Sequence, residues 1–292
     1  MSIIDTPFNT ESSISCLLSQ GVQTVIRYYN FSNTRKFPRK RMELAEAQAL
    51  ASHGIQIAVT FQQRQDRVED FSEQIGFTAG RRAYRHAQEN IGQPAGSGIY
   101  FSVDFDAKAG EIRDNVVPYF EGIKRAFDQE GAGAPAYRVG AYGSGRVCNT
   151  LTEKGLIELT WLAMSRGFQG TREALRAGEF HLAQRAPATT LCRLGVDFND
   201  PNPARPDFGA FTIDDAPEPT GLVTAAGERH RVIARDGLRL REGPGTQFEV
   251  IGSLRPGQIV FVLSVRDGFA QVDVEGDGQV DGFASASFLE RF

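Results

Sequence analysis

Over residues 1–213, short apolar runs alternate with longer segments in which apolar positions recur every three or four residues. The runs are "SIID", "VQTVIRYYN", "IQIAVTF", "GIYFSVDFD", "RVGAYGS", "TWLAMSRG", "FHLAQRA" and "LGVDFND", which makes eight candidate strands. Among the intervening segments, 111–130 places Ile112, Val116, Phe120, Ile123 and Phe127 on one helical face, with Pro118 expected to kink the helix or mark its first turn. A second helix is expected from Val68 to Ile91, where Phe71, Ile75, Ala83, Ala87 and Ile91 keep one side apolar. Strand–helix alternation implies a parallel sheet. Eight strands in this length predict an α/β fold, a compact (β/α)8 TIM-like barrel with reduced helices in its last quarter. An open doubly wound sheet is the alternative arrangement of the same elements.

The texture changes after Phe211. The stretch "TIDDAPEPTGLVTAAGE" carries few large apolar residues, so a linker is expected over 214–228. Residues 229–292 form short strands separated by Gly-containing turns, without a helical period, and predict a small all-β barrel. The first domain is thus assigned to 1–213.

Composition narrows the function. The 292 residues hold 32 Lys plus Arg against 36 Asp plus Glu, a formal charge of −4, and no basic block that would grip nucleic acid or an anionic membrane. No apolar run approaches the roughly 20 residues of a membrane span, and "MSIIDTPFNT" lacks the regions of a secretory signal, so synthesis without a cleavable leader is expected. The three cysteines, Cys16, Cys148 and Cys192, are far apart and outside any C-x-x-C pattern. They predict buried small hydrophobes rather than a disulfide framework or a zinc site. "AYGSGRV" fits neither a nucleophile elbow nor a dinucleotide fingerprint and is expected to be a strand-to-helix turn. Asp273, Glu275, Asp277, Gly278 and Asp281 imitate the start of a calcium loop, but Ala284 stands where the bidentate Glu belongs, so an acidic hairpin turn is expected.

The informative chemistry lies in "GIYFSVDFDA". Strand alternation puts Phe101, Val103 and Phe105 on one face and Ser102, Asp104 and Asp106 on the other, unless the strand ends at Val103 and the acids begin a solvated turn. In a (β/α)8 barrel the C-terminal strand ends line the active site. Asp5 ends the first strand, Asp104 and Asp106 the fourth, and Asp197 the eighth, so four carboxylates are expected to face one pocket. Crowding raises at least one pKa and creates a proton-bearing acid beside an ionised partner, the requirement for cleaving a glycosidic bond. Binding of a divalent metal is the competing explanation, although no His ligand or phosphate-gripping loop accompanies the acids. Tyr28, Phe61, Tyr142 and Trp161 sit at or near strand ends as candidates for stacking on sugar rings, with burial in the core as the alternative for each. No cofactor or metal is expected.

"IIDTPFN", "VIRYYN", "IYFSVDFDA", "VGAYGSG", "WLAMSRG" and "GVDFND" together resemble glycoside hydrolase-like domains related to the family 25 glycoside hydrolases, the lysozyme-type muramidases. In family 25 the fourth strand carries Asp-x-Glu with Glu as general acid. The resemblance therefore implies Asp106 as acid, Asp104 as the partner that stabilises the oxocarbenium-like charge, and Asp5 and Asp197 as residues that bind substrate and tune the pair. Asp106 is one methylene shorter than Glu, and a misplacement of about 1 Å can cost about a hundredfold in rate. "GLRLREGPGTQFEVIGSLRPGQIVFVL" resembles bacterial SH3-like domains, which commonly accompany cell-wall enzymes.

The resulting expectation is a muramidase-like hydrolase of peptidoglycan glycan strands, targeted to the wall by its SH3-like domain. A catalytically silent glycan- or wall-binding protein is the alternative. Acting at the wall or periplasm without a leader would require a secretion or lysis machinery as partner, and an immunity protein if the chain is a toxin.

Overall fold

The computed structural model describes residues 2–213 and 227–291, apart from 242, 249, 275, 277 and 279. The expected linker over 214–228 thus lies outside the described residues except for its last two. The chain divides into two compact units, Met1–Pro217 and Glu218–Phe292.

Eight strands of the first unit close into a barrel in sequence order: β1 (Ser2–Asp5), β2 (Val22–Tyr29), β3 (Gln56–Phe61), β4 (Gly98–Ser102), β5 (Arg138–Gly143), β6 (Leu159–Leu162), β7 (Leu182–Leu191) and β8 (Leu194–Pro201). The helices are α1 (Ile14–Ser19), α2 (Leu44–Ser52), α3 (Glu73–Arg85), α4 (Ala109–Glu111), α5 (Val117–Glu130), α6 (Gly145–Glu153) and α7 (Thr171–Ala177). Alternation sorts the strand side chains. Ile4, Val25, Ile57, Val59, Ile99 and Phe101 join the outer core under the helices, while Ile3, Ile26, Ala58, Tyr100, Leu159 and Leu182 belong to a second, inner cluster.

The barrel is not all-parallel. β1 to β7 run parallel, but β8 is antiparallel to both β7 and β1. No helix separates β7 from β8. Leu191 pairs with Leu194 across a two-residue turn, Cys192–Arg193, in which both residues have positive φ (52° and 68°). That is the backbone a tight hairpin needs to match strand twist. Cys192 is disulfide-bonded to Cys16 in α1, which corrects the expectation of buried, unpaired cysteines there; Cys148 alone is free and buried. Two residues 176 apart in sequence gave no local pairing signal.

Two helix expectations change in detail. The segment expected as one helix from Val68 to Ile91 is a single 3-10 turn at Val68–Asp70, then α3, then a wider-wound turn at His86–Ile91. Ser72, with an extended backbone, starts α3 by accepting a hydrogen bond from the Ile75 amide. Pro118 lies in the first turn of α5, preceded by a wide turn at Ile112–Val116. A proline there lacks the N–H that the preceding turn would use, and the widened winding is one way to absorb the loss. Ser144 caps α6 by accepting from the Val147 amide, the strand-to-helix turn expected of "AYGSGRV".

The second unit is a seven-stranded antiparallel sheet comprising β9 (Glu228–Val232), β10 (Leu238–Arg241), β11 (Val250–Leu254), β12 (Ile259–Arg266), β13 (Phe269–Asp273), β14 (Gly282–Ser285) and β15 (Leu289–Arg291). Val232, Leu240, Val260, Val262, Val272 and Ala284 supply its core. In the acidic turn after β13, Asp273 accepts hydrogen bonds from the Gly276 and Gly278 amides, and Asp281 accepts one from the Val274 amide. These carboxylates cap turn amides. Glu275 and Asp277 lie outside the described residues.

Candidate active site

Each inward-facing strand position has an apolar residue deep in the barrel and, two residues further toward the C-terminal end, a polar or aromatic one. Ile3 is followed by Asp5, Ile26 by Tyr28, Ala58 by Thr60, Tyr100 by Ser102, and Leu182 by Gln184. The upper layer thus forms a cavity of about 220 Å³ lined by Tyr28, Thr60, Gln62, Ser102, Asp104, Tyr142, Trp161, Met164, Gln184 and Asp197.

Because β8 runs antiparallel, Asp197 lies mid-strand rather than at a strand end, yet its register partner on β1 is Asp5. The expected neighbourhood of these two acids therefore holds through a different topology. Gln184 bridges them, its Nε2 donating to Asp5 Oδ2 (3.0 Å) and to Asp197 Oδ2 (3.3 Å) while its Oε1 accepts from the Tyr142 hydroxyl (2.7 Å). Asn199 Nδ2 donates to the same Asp5 Oδ2 (2.8 Å), and Asn199 Oδ1 accepts from Trp161 Nε1 (2.8 Å). The Tyr28 hydroxyl donates to Asp5 Oδ1 (3.3 Å). Behind the site, the buried Arg27 pairs with the buried Glu46 and donates to the Thr6 carbonyl, which anchors the loop that follows Asp5.

These surroundings shift the acids in one direction. Asp5 is 2% exposed, and burial, with Asp197 adding repulsion, pushes its carboxyl up to about 7 despite the opposing amide donors. Asp104 is exposed at the cavity mouth, yet partial desolvation raises it as well, aided by Asp66 and opposed by its hydrogen bond from Gln62 and by Lys40. Asp197 is raised by burial and by Asp104, and its Oδ1 is buried without a hydrogen-bond partner among the described residues. Lys40 stands beside the mouth, its Nζ 4.7 Å from the Tyr28 ring centre and donating to the Gln62 carbonyl; burial lowers it to about 8.

Three expected site residues do not line the cavity: Asp5, which is buried behind Tyr28 and Gln184, and also Asp106 and Phe61. β4 ends at Ser102, and beyond it the Asp104 amide bonds the Gln65 carbonyl, so strand alternation does not carry through to Asp106. Asp106 is exposed, accepts a hydrogen bond from the Gln169 amide (2.8 Å) and does not line the cavity. Phe61 is fully buried against Phe31 and Phe101, because its neighbour Thr60 takes the inward direction. Tyr28, Tyr142 and Trp161 do line the cavity, although Trp161 is 1% exposed with its indole N–H already committed to Asn199. Gln184, Asn199, Gln62, Thr60 and Lys40 were not foreseen. For Gln184, Asn199 and Thr60 the usable signal was parity: each sits two residues from an inward-facing strand residue. Among the described residues, no three His, Cys, Asp or Glu side chains are grouped to hold a metal ion.

Residues 15–186, more than half of the chain, match the family of Rv2525c-like, glycoside hydrolase-like domains. The chain belongs to this family. Residues 236–290 match the bacterial SH3 domain, so an Rv2525c-like barrel is joined here to an SH3 unit. The chain is 32% identical over 166 residues to the uncharacterized protein YbfG of Bacillus subtilis, covering 55% of this chain and 22% of YbfG. It is 29% identical over 132 residues to FadG of the same organism, covering 45% of this chain and 22% of FadG. This chain thus matches about a fifth of the length of these curated relatives. In fold, it resembles the Mycobacterium tuberculosis Tat-secreted protein Rv2525c in complex with HEPES, with a TM-score of 0.57 and 23% identity over 72% of this chain and 98% of that one. It also resembles an uncharacterized B. stearothermophilus protein, with a TM-score of 0.51 and 13% identity over 72% of this chain and all of the other.

Proposed function

We propose that the barrel hydrolyses a glycosidic bond in the glycan strand of peptidoglycan, and that the SH3 unit holds the enzyme on the wall. The observation carrying this reading is the grouping of Asp104 and Asp197 on the cavity wall with Asp5 buried directly behind it, all three shifted upward from the ordinary carboxylate value, with aromatic side chains lining the same cavity. A carboxyl that keeps its proton toward neutral pH beside more exposed carboxylates provides both protonation states that glycoside cleavage uses. In this reading Asp104 and Asp197 face the sugar, one of them stabilising positive charge at the anomeric carbon or activating water, and Asp5 stores the proton. Asp106, the acid implied by family resemblance, acts only in holding the loop at Gln169. The Cys16–Cys192 bond supports work in an oxidising compartment outside the cytoplasm.

The diversion of Asp106 and the burial of Asp5 favour a second reading, in which the barrel binds glycan without cleaving it. Mass spectrometry of purified peptidoglycan after incubation with the full chain, with chelator present across acidic to neutral pH, separates the two. New reducing ends support hydrolysis. Their absence on several peptidoglycan types, alongside retained binding to sacculi, supports the binder, and activity that requires added divalent metal overturns the carboxylate mechanism.

A further inference from the structure

We propose that Tyr28 is a catalytic proton relay, its hydroxyl passing the proton held by Asp5 to the leaving oxygen of a sugar bound in the cavity. This rests on the glycosidase reading above. Asp5 does not line the cavity, whereas Tyr28 and Gln184 both do, so a proton on Asp5 needs an intermediary to reach substrate.

The hydrogen bonds select the route. Asp5 Oδ2 already accepts from two amides, Asn199 Nδ2 and Gln184 Nε2. Neither amide can be turned around without loss. Asn199 Oδ1 faces the Trp161 indole N–H, which can only donate. A reversed Gln184 would give up its donation to Asp197 and set its oxygen against that carboxylate. The proton of Asp5 therefore belongs on Oδ1, whose partner is the Tyr28 hydroxyl: that hydroxyl donates to Oδ1 when Asp5 is ionised and accepts from it when Asp5 is protonated, which frees the phenolic proton to point into the cavity.

In the step, Asp5 Oδ1–H is transferred to Tyr28 Oη as the phenolic proton of Tyr28 moves to the glycosidic oxygen. The bond from the anomeric carbon to that oxygen breaks, its electron pair staying on the oxygen, which leaves as a hydroxyl. Water then adds to the anomeric carbon and gives its proton to Asp104 or Asp197. Asp5 ends ionised and Tyr28 neutral. The concerted shift spares Tyr28 from ionising, which burial and the surrounding acids make unfavourable. The groups that face this pair are Asp197 and Asn199 from β8, Gln184 from β7, Tyr142 from β5, Asp104 after β4, and Lys40 over the Tyr28 ring.

The test is Tyr28→Phe in the full chain, which keeps the ring and removes the relay, assayed on peptidoglycan and on a dinitrophenyl glycoside of N-acetylmuramic acid, whose leaving group needs no proton. On peptidoglycan the variant should lose about a hundredfold or more in kcat with little change in KM. It should also lose the descending limb of the pH profile that follows Asp5. On the dinitrophenyl glycoside it should retain close to wild-type turnover. Equal impairment on both substrates would mean that Tyr28 only shapes the site, and wild-type turnover on both would mean that it is idle; either overturns the relay while leaving the hydrolase reading intact. A wild-type enzyme inert toward both substrates overturns the hydrolase reading and the relay with it.

Discussion

Replacing Asp5 with Asn should make the protein more stable at neutral and alkaline pH and leave it nearly unchanged in acid. In the unfolded chain the Asp5 carboxyl ionises near its ordinary 3.8, while in the barrel it holds its proton to about 7. Below pH 3.8 both states carry the proton and the group has no effect on stability. Between about 4 and 7 only the unfolded state ionises, so native stability falls as pH rises, and above about 7 the full penalty applies. A difference of about three units at 1.36 kcal/mol each gives a penalty of about 4 kcal/mol. The amide removes it. Its oxygen can keep the hydrogen bonds from Asn199 and Gln184, and its NH2 can donate to the Tyr28 hydroxyl, so the geometry of the site survives. At about 2–4 °C per kcal/mol for a domain of this size, Asp5→Asn should raise Tm by about 10 °C near pH 8 and by little near pH 4. Thermal and urea unfolding of both proteins across this range gives the difference, in which the titration of most other groups cancels. A stability difference that stays constant from pH 4 to pH 8 would refute the argument that Asp5 is held protonated by burial.

Asp104→Asn should reduce glycan turnover by about a hundredfold or more, whereas Asp106→Asn should alter it by less than about threefold, since only Asp104 lines the cavity; reducing-end release by the two variants checks the order. Reduction of Cys16–Cys192, or its replacement by a pair of serines, should destabilise the barrel by up to about 5 kcal/mol from the entropy of a loop closed over 176 residues. Thiol counting in denaturant should find one reactive cysteine before reduction and three after. Removal of Glu218–Phe292 should leave a folded barrel that loses more activity on insoluble sacculi than on short soluble fragments, because tethering raises local concentration only on the polymer. Equal losses on both substrates would reject the targeting role.

Local patterns determined much of this protein. Eight apolar runs read as eight strands, and the spacing of Ile112, Val116, Phe120, Ile123 and Phe127 read as a helix face, because side-chain periodicity reports which side of an element meets the core. The family of the first unit and the all-β character of the second were legible for a similar reason: their motifs lie within single strands and turns. Asp5 and Asp104 could be named from a strand end and near-end, since backbone geometry alone carries such residues to one end of a barrel, whereas Asp197 reaches Asp5 through the antiparallel register of β8.

What required the tertiary structure was every feature set by contacts between distant segments. The reversal of β8 depends on Cys192 and Arg193 adopting positive φ, a turn that neither residue advertises and that is bonded through Cys192 to Cys16 in α1. The fates of Asp104 and Asp106 divided where β4 stops being paired, a point decided by Gln65 and Gln169 from other loops. Phe61 and Thr60 differ only in parity, and one was lost to the core because the other pairs inward with Ser102. The high pKa of Asp5 is likewise no property of "SIID"; it arises because β7 and β8 bring Gln184, Asn199 and Asp197 over it and remove the water that would have let it ionise.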